Sequence, residues 1–445
     1  MRTSQTILGI GFGLLLSLTS SNLFAEVTPS DEALAYEAQE LPLEELRTFG
    51  EVFERIKRAY VHDINDEELL DNAIRGMVTG LDPHSTYLTP DDYDELQEST
   101  QGEFGGLGLE VSSENGFIKV VTPIDDTPAA RAGIRPHDLI VKINDTPIKN
   151  LPLNKSIELM RGKPDTEIRL TIMRDGADAP FELTLKRALI RVTSVKHRML
   201  DEDYGYIRIT QFQVHTGEEV VKALNKMHSG ANGQLKGVVL DLRNNPGGVL
   251  QAAAEVVDAF ITQGRIVYTK GRLDNTELSF DATPNNPSHG VPLIVLINEG
   301  SASASEIVSG ALQDHHRGVI MGTQSFGKGS VQTILPLGEN RGLKLTTALY
   351  YTPSGRSIQA QGVTPDIEVK PARLTPIEAR LQIKEADLEG HLESSQKAVG
   401  QKPEDSTSLA ESDYQLFEAL SLLKSLHILN KSPDSSTLSS NEATH

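Results

Sequence analysis

Three serines alternate with alanine in one short turn of the predicted fold, at Ser301, Ser303 and Ser305. The apolar run at 291–297 predicts a strand buried on both faces, and residues 307–312 predict a helix. Backbone N–H groups in the first turn of a helix have no acceptor within the helix, so amide donors and an exposed hydroxyl can lie together there. The turn therefore either provides an ordinary N-cap, from Ser301 or Ser303, or holds a reactive oxygen.

A lysine and a glutamine farther along the chain could complete such a site. Burial lowers the pKa of a lysine, and a neutral Lys328 could accept the hydroxyl proton of Ser303 in a serine–lysine mechanism. Gln332 is four residues later, on the same face of the strand predicted to follow, where its amide could orient the lysine amine. The alternative is that Lys328 is an ordinary exposed turn residue.

Two other chemistries fit parts of this region less well. Residues 322–328 (GTQSFGK) have the spacing of a phosphate-binding P-loop, but Gly329 replaces the magnesium-binding Ser or Thr, and a strand-like segment follows. The Asp-His-His sequence at 314–316 could supply a Ser-His-Asp set. It belongs to the far end of the helix that Ser303 opens, more than about 10 Å away at about 1.5 Å per residue, and helix capping explains the histidines.

Composition excludes several classes of function. The 445 residues contain no cysteine, which excludes disulfides, thiol nucleophiles and thiolate metal sites. The net charge of -20 disfavours nucleic acid or an anionic membrane surface as the main partner. No His-Glu-x-x-His helix or Gly-x-Ser-x-Gly elbow occurs, and we predict neither a metal nor a cofactor.

Short strands dominate residues 97–187, which we predict to form a PDZ domain. The segment GGLGLE at 105–110 resembles the carboxylate-binding loop of PDZ domains, and AARAGI at 129–134 matches their mid-domain pattern. Glycines in such a loop let successive N–H groups turn toward the terminal carboxylate of a peptide, while a strand edge pairs with the peptide. The predicted strands are at 107–111, 117–121, 139–143 and 168–174, and the predicted helices are at 128–132 and 154–161.

The remaining segments differ in pattern. Residues 1–25 carry Arg2, an apolar run at 7–18 and Ala25 at the end, and they predict a cleaved signal peptide, with an uncleaved membrane anchor as the alternative. Strands and helices alternate over 188–373, which predicts a mixed sheet covered by helices. The other predicted segments are a helical N-terminal region at 26–96 with helices at 43–60 and 67–78, a helical C-terminal region at 374–431, and a disordered tail at 432–445.

A strong apolar stripe marks the C-terminal region. Apolar residues recur at helical spacing over 414–428, after a helix at 377–384 and a polar linker at 394–408. Because little core is expected nearby, the stripe predicts a surface for self-assembly or for an adaptor protein.

Four spaced motifs and the order of the segments resemble one protein family. The motifs are Ser303 in GSASASE, Lys328 in FGKG, Gln332 in VQT, and DLRNNPGG at 241–248. Together they resemble the carboxy-terminal processing peptidases, also called tail-specific proteases, over residues 43–367. The resemblance implies an α+β, multidomain protein: a helical N-terminal region, a PDZ domain, a mixed α/β (ClpP/crotonase-like) protease core and a helical C-terminal region. It implies a serine endopeptidase that works without ATP, and the predicted signal peptide indicates that this enzyme is exported to the periplasm, with association with the membrane as the alternative.

The resemblance also implies roles for the candidate residues. Ser303 would be the nucleophile, Lys328 its base and Gln332 the residue that orients the base, while Ser301 serves the helix as a cap. Gly248 and Ala304 would supply the oxyanion-hole amides, and Leu107, Gly108 and Leu109 would bind the C-terminus of a protein substrate.

Two expectations concern partners. We expect a homo-oligomer formed through the terminal helices, and an activating adaptor protein is a further candidate partner. The alternative function is a PDZ scaffold, or a protease whose core is gated shut in isolation and depends on an adaptor.

Overall fold

The computed structural model of the chain divides into a unit at Met1–Leu69 and a unit at Leu70–His445. The predicted signal peptide, the helix at 377–384, most of the predicted linker and the tail at 432–445 lie outside the described residues. Within the described residues, no helix combines the length and the apolar character needed to cross a bilayer. The described residues are 41–231, 233–273, 277–338, 340–373, 391–392 and 406–430.

Two helices begin the described chain, as predicted: α1 (Leu43–Ala59) and α2 (Asp66–Thr79). Acidic residues in the first turn of α1 and basic residues in its last turn complement the helix dipole. No side chain of α1 is buried, and its apolar residues Leu46, Phe49 and Val52 are exposed. The helix therefore presents an apolar face to solvent.

A short strand and a helix follow that the apolar pattern does not predict, β1 (Thr86–Leu88) and α3 (Pro90–Gln101). Thr89 caps α3, because its hydroxyl accepts the N–H of Asp92 and the Asp92 carboxylate accepts the N–H of Thr89. α3 has no fully buried residue, so it lacks the apolar periodicity by which a helix is recognised. The predicted domain boundary at 97 falls inside it.

The next elements form an antiparallel sheet with two short helices, as predicted for a PDZ domain. The sheet order is β3-β4-β5-β7-β8, with β6 on the edge of β5, while β2 pairs only with β9. Its core is built from apolar side chains on alternate strand positions, such as Ile118 and Val120 or Ile168 and Leu170. The elements are β2 (Glu103–Gly106), β3 (Leu109–Glu114), β4 (Phe117–Pro123), α4 (Pro128–Arg131), β5 (Leu139–Ile143), β6 (Thr146–Pro147), α5 (Leu153–Met160), β7 (Glu167–Met173), β8 (Phe181–Lys186) and β9 (Ala188–Arg191).

Two sheets form the core after the PDZ domain. The larger has the order β10-β11-β12-β15-β16-β19 and is parallel except at β10; the other has the order β1-β18-β13-β14, with β17 also paired to β18. The elements are β10 (Val195–Asp201), β11 (Tyr204–Ile209), α6 (Thr216–Gly230), β12 (Gly237–Asp241), α7 (Leu250–Asp258), β13 (Arg265–Gly271), β14 (Ser279–Asp281), β15 (Leu293–Ile297), α8 (Ala304–Asp314), β16 (Val319–Gly322), β17 (Ser330–Leu337), β18 (Arg341–Tyr351), β19 (Ile367–Glu368), α9 (Ser406–Ser412) and α10 (Tyr414–Asn430).

Every residue of the central strands β12 and β15 is buried, as the unbroken apolar runs predict. One face of the larger sheet packs against α6, α7 and α8. On the other face, Leu416, Ala419, Leu420 and Leu423 of α10 pack against strand residues such as Val239. Both faces of the strands are thereby removed from water.

The interpretation that the apolar stripe at 414–428 has little core nearby is therefore wrong. Its periodicity was sufficient to predict a helix, but not to show that one face of the sheet would otherwise be uncovered. A methyl group placed at Gly237 would lie 2.8 Å from Leu423 Cδ2, so the strand and the helix approach closely at this glycine. The stripe completes the core.

Leu423→Ala should destabilise the protein, because Leu423 is 0% exposed and truncation leaves a cavity against β12. Such a change costs about 2–5 kcal/mol in the free energy of unfolding. Leu429→Ala makes the same chemical change on the same helix at a residue that is 79% exposed, and it should have little effect. Urea unfolding of both variants checks this; equal midpoints would contradict the packing of α10.

Candidate active site

The turn between β15 and α8 separates its three serines by environment. Ser301 and Ser305 are fully buried, whereas Ser303 is partly exposed and lines a cavity. The Ser301 hydroxyl donates to the Leu242 carbonyl (2.8 Å) and accepts the N–H of Asn298 (2.9 Å). Only the Ser303 side chain is therefore placed to meet a substrate.

Ser303, and not Ser301, is the N-cap residue of α8. The expectation that Ser301 caps this helix is wrong, because the Ser301 hydroxyl is used to join the turn to β12. Ser303 has a φ of 55° and a ψ of -112°, a conformation that is uncommon for a residue with a side chain and is typical of functional sites. Its N–H donates to Glu306 Oε2 (2.8 Å).

Glu306 holds two segments of the site together. Its fully buried carboxylate accepts hydrogen bonds from the N–H of Ser303, the hydroxyl of Ser325 (2.5 Å), and the N–H groups of Gly327 (2.7 Å) and Lys328 (2.9 Å). Burial raises the pKa of Glu306, and these donors oppose the rise. Sequence reasoning assigned it no role, although Ser-x-x-Glu before an apolar run is the signature of a capping box.

Lys328 lies in the loop between β16 and β17 and is partly buried, so the interpretation of an exposed turn lysine is wrong. Burial lowers the pKa of Lys328, and the positive charge of Lys344 lowers it further, against the opposing charges of Asp82 and Glu306. The side chain lines the same cavity as Ser303. The local environment thus makes the amine of Lys328 easier to deprotonate than that of an exposed lysine.

Gln332 lines this cavity as well. Its Nε2 group donates to the hydroxyls of Ser330 (3.0 Å) and Thr346 (3.4 Å). A bulge in the pairing with β18 falls between Val331 and Gln332, and β17 begins only at Ser330, so simple strand alternation from Lys328 does not describe this segment. The fold nevertheless brings both side chains to one cavity.

The turn after β12 is hydrogen-bonded to the serine turn. The Asn245 carbonyl accepts the N–H of Ala302 (3.0 Å) and the hydroxyl of Ser305 (2.9 Å). Asn244 and Asn298 exchange two hydrogen bonds, with the N–H of Asn244 donating to Asn298 Oδ1 and Asn298 Nδ2 donating to Asn244 Oδ1. These bonds set the distance between the two turns.

Two glycines of the turn after β12 lie close to neighbouring segments, Gly247 to the serine turn and Gly248 to Phe212. A methyl group at Gly247 would lie 2.8 Å from Ser303 Cβ, and one at Gly248 would lie 2.1 Å from the Phe212 carbonyl oxygen. Both have positive φ, 104° and 140°. Within the described residues, the N–H groups of Gly248 and Ala304 have no hydrogen-bond acceptor, and both residues line the cavity beside Ser303.

Arg243 fixes the start of this turn through two ion pairs. Its guanidinium donates to the buried carboxylate of Asp241 and, with a second pair of bonds of 2.7 and 2.8 Å, to Asp413 before α10. Asp241 also accepts the hydroxyl of Tyr206 (2.7 Å). Bidentate pairs of this kind fix geometry as well as charge, so the C-terminal helix is tied to the segment that precedes Gly248.

The cavity beside Ser303 has a volume of about 430 Å³. Ser303, Lys328, Gln332 and the two predicted oxyanion residues all line it. Further lining residues come from α3, the β12 turn and β18, among them Leu96, Ser99, Thr100, Pro246, Gly247, Lys344 and Tyr350.

The Asp-His-His sequence is placed elsewhere. Asp314 accepts from the guanidinium of Arg356 and the N–H of Ser354, and His315 Nε2 contacts the Arg265 carbonyl (2.7 Å). These groups serve the end of α8, so a Ser-His-Asp arrangement does not form.

A second cavity, of about 240 Å³, lies in the PDZ domain and includes the three predicted peptide-binding residues, Leu107, Gly108 and Leu109. The Leu107 carbonyl accepts the N–H of Ala129, and the Gly108 carbonyl accepts that of Ile124. Within residues 103–191, the N–H groups of Leu107 and Gly108 donate to no acceptor. Its other lining residues are Phe104, Gly106, Val111, Ile157, Met160 and Arg161.

Comparison with known proteins identifies three domains in the chain. Residues 203–369 match the model of peptidase family S41, residues 105–185 match a PDZ domain, and residues 12–92 match the N-terminal domain of the activating protease CtpB. The chain is 46% identical to a carboxy-terminal-processing protease of Bartonella bacilliformis, covering 93% of this chain and 94% of that protein.

Two further relatives carry the same designation. The chain is 37% identical to a carboxyl-terminal-processing protease of Synechocystis, covering 70% of this chain and 74% of that protein. It is 31% identical to the carboxy-terminal processing protease CtpA of Bacillus subtilis, covering 87% and 83%. The fold and these matches define a serine-type endopeptidase with a PDZ domain. The chain belongs to the carboxy-terminal-processing proteases of peptidase family S41.

Glu306→Gln should impair both stability and proteolysis. The amide keeps the shape of the carboxylate but turns an NH₂ group toward buried donors, and each donor left without an acceptor costs about 1–3 kcal/mol. Thermal unfolding and the rate of casein cleavage measure the two effects. Glu299→Gln, at an exposed residue of the same turn, is the matched control; a Glu306→Gln protein that behaves like it would refute the linking role of the carboxylate.

Proposed function

We propose that this protein cleaves proteins by a serine–lysine mechanism with Ser303 as nucleophile, Lys328 as general base and Gln332 as the residue that orients the base. The observation that carries the proposal is the convergence of these three side chains on one cavity with two unbonded amides, those of Gly248 and Ala304. Nucleophile, base and oxyanion donors are the parts that acyl transfer requires.

The chemical steps follow from the positions of these groups. Neutral Lys328 takes the Ser303 hydroxyl proton as the oxygen attacks the substrate carbonyl carbon. The resulting oxyanion accepts hydrogen bonds from the N–H groups of Gly248 and Ala304, each worth about 3 kcal/mol in the transition state. Protonated Lys328 then gives its proton to the departing amine, and water hydrolyses the acyl-enzyme with Lys328 again acting as base.

The PDZ domain gives the enzyme a means to select its substrates. We propose that the free N–H groups of Leu107 and Gly108 bind the terminal carboxylate of a protein while the peptide lies along β3. Apolar residues of β3 and α5, including Leu109, Ile157 and Met160, line the groove. An apolar last residue on the substrate suits such a lining.

Compartment and assembly are also proposals. A signal peptide at 1–25 would export the enzyme to the periplasm. The exposed apolar face of α1 supports self-association through the N-terminal helix, whereas the packing of α10 leaves chiefly Ile428 and Leu429 exposed on the C-terminal helix. An adaptor protein that activates the enzyme remains part of the proposal.

Ser303→Ala should abolish cleavage while leaving the protein folded, because the substitution removes the nucleophile and costs at most about 2 kcal/mol at an N-cap. Lys328→Arg should also be inactive, because arginine does not release its proton at useful pH. Gels of casein digestion, with and without cell extract, and thermal unfolding provide the measurements. Cleavage by purified Ser303→Ala protein would refute the assignment, and cleavage by the wild type only with extract would indicate an activating partner.

The acidic limb of the pH–rate profile should report the pKa of Lys328. Activity needs the neutral amine, so it rises with pH through the pKa of Lys328, which burial and Lys344 hold below the ordinary value. Lys344→Met removes a charge that lowers this pKa, so the pKa rises and the limb should move to higher pH. Lys226→Met, at an exposed residue of α6, provides the control; identical limbs in both variants would exclude Lys328 as the titrating base.

A further inference from the structure

A chain of hydrogen bonds leads from Gln332 to a segment outside the protease core. Gln332 Nε2 donates to Thr346 Oγ1 (3.4 Å), and Thr346 Oγ1 donates to Asp82 Oδ1 (3.2 Å). Asp82 precedes the PDZ domain and is 264 residues from Thr346 in the sequence. Neither residue has a role in the reaction as described above.

The turn that contains Asp82 is firmly held. Asp82 Oδ1 accepts the N–H groups of His84 (2.7 Å) and Ser85 (2.9 Å), and Oδ2 accepts the Ser85 hydroxyl (2.6 Å). Ser85 is buried, and its hydroxyl oxygen accepts the N–H of Thr346 (3.1 Å). β1 follows at once and pairs with β18, with Thr86 opposite Lys344. The carboxylate is thus a fixed acceptor beside β18.

The direction of the bonds decides which way the Gln332 amide faces. A threonine hydroxyl has one proton, and in this chain that proton goes to the Asp82 carboxylate, which can only accept. Thr346 Oγ1 must then accept from Gln332, so the NH₂ group and not the amide oxygen faces it. The second Nε2 bond, to Ser330 Oγ (3.0 Å), is made in the same orientation. Among the described residues, the amide oxygen of Gln332 accepts no hydrogen bond, and Gln332 lines the same cavity as Lys328.

We propose, on the basis of the serine–lysine mechanism above, that Asp82 and Thr346 are positioning residues that fix the Gln332 amide with its oxygen available to Lys328. Without the carboxylate, the Thr346 hydroxyl is free to donate to the amide oxygen, and the amide can turn its NH₂ group toward a lysine that also donates. The negative charge of Asp82 opposes the lowering of the Lys328 pKa, which is consistent with its nearness to the base. The site is therefore completed by a turn that precedes the PDZ domain.

Thr346→Val tests the proposal in the full-length protein, because it removes the hydroxyl while keeping Asp82, Gln332 and the side-chain shape. We expect kcat for casein to fall about 10- to 100-fold with little change in KM, as for other small misplacements of catalytic groups. Thr346→Ser retains the hydroxyl and should restore kcat. Thr347→Val is the matched control, since its hydroxyl pairs with Thr333 (2.6 Å) in an exposed contact of the same hairpin.

A double-mutant cycle separates positioning from a structural role. If Thr346 acts through Gln332, Thr346→Val should lower kcat no further in a Gln332→Ala background, whereas an independent structural effect would add to it. Asp82→Ala should lower kcat as Thr346→Val does, provided that thermal unfolding shows the Asp82→Ala protein to be folded. If that protein is not folded, the Thr346 variants alone test the proposal. Wild-type kcat in Thr346→Val, or additive losses in the cycle, would overturn this inference alone. Cleavage that persists in purified Ser303→Ala protein would overturn the proposed function and this inference with it.

Discussion

One buried carboxylate holds the candidate active site in its arrangement. Glu306 receives donors from the serine turn, at Ser303, and from the lysine loop, at Ser325, Gly327 and Lys328. A carboxylate taken out of water is costly unless its lone pairs are used, so the two segments are stable only when they meet around it. The positions of Ser303 and Lys328 are therefore consequences of one requirement for hydrogen-bond satisfaction.

Further hydrogen bonds connect the serine turn to the turn after β12 and to α10. Asn245 and Asn298 use backbone and amide groups to hold the β12 turn against the serine turn, and glycine at 247 leaves out the side chain that would prevent this contact. Arg243 then links this turn to Asp413 and hence to α10, which also covers the second face of the sheet. A helix distant in sequence thus contributes to the stability of the core and to the support of the turn that contains Gly248.

Sequence patterns predicted much of this fold because they report local periodicity. The apolar runs of β12 and β15 and the glycine loop at 105–110 are visible without tertiary information, and the structure places their elements within a few residues of the predicted positions. α3 was missed because its signal is a capping box at Thr89 and not an apolar face. The bond between Asp82 and Thr346 was inaccessible, because no local pattern specifies a contact across 264 residues. The packing face of α10 was misjudged for a similar reason: periodicity shows that a face exists, but not what it covers.

The pairing of β2 with β9 has a consequence for the path of the chain. Glu103 lies opposite Arg191 and Gly106 opposite Ala188, so the polypeptide enters and leaves the PDZ domain at neighbouring points. Topologically, the domain is a loop inserted into a two-stranded ribbon. A turn of about two to five residues joining Gly106 to Ala188 would close that ribbon as an ordinary hairpin. The path from the Asp82 turn through α3 to the core strands would be unchanged, so the PDZ domain and the peptidase core are topologically separate parts of a single chain.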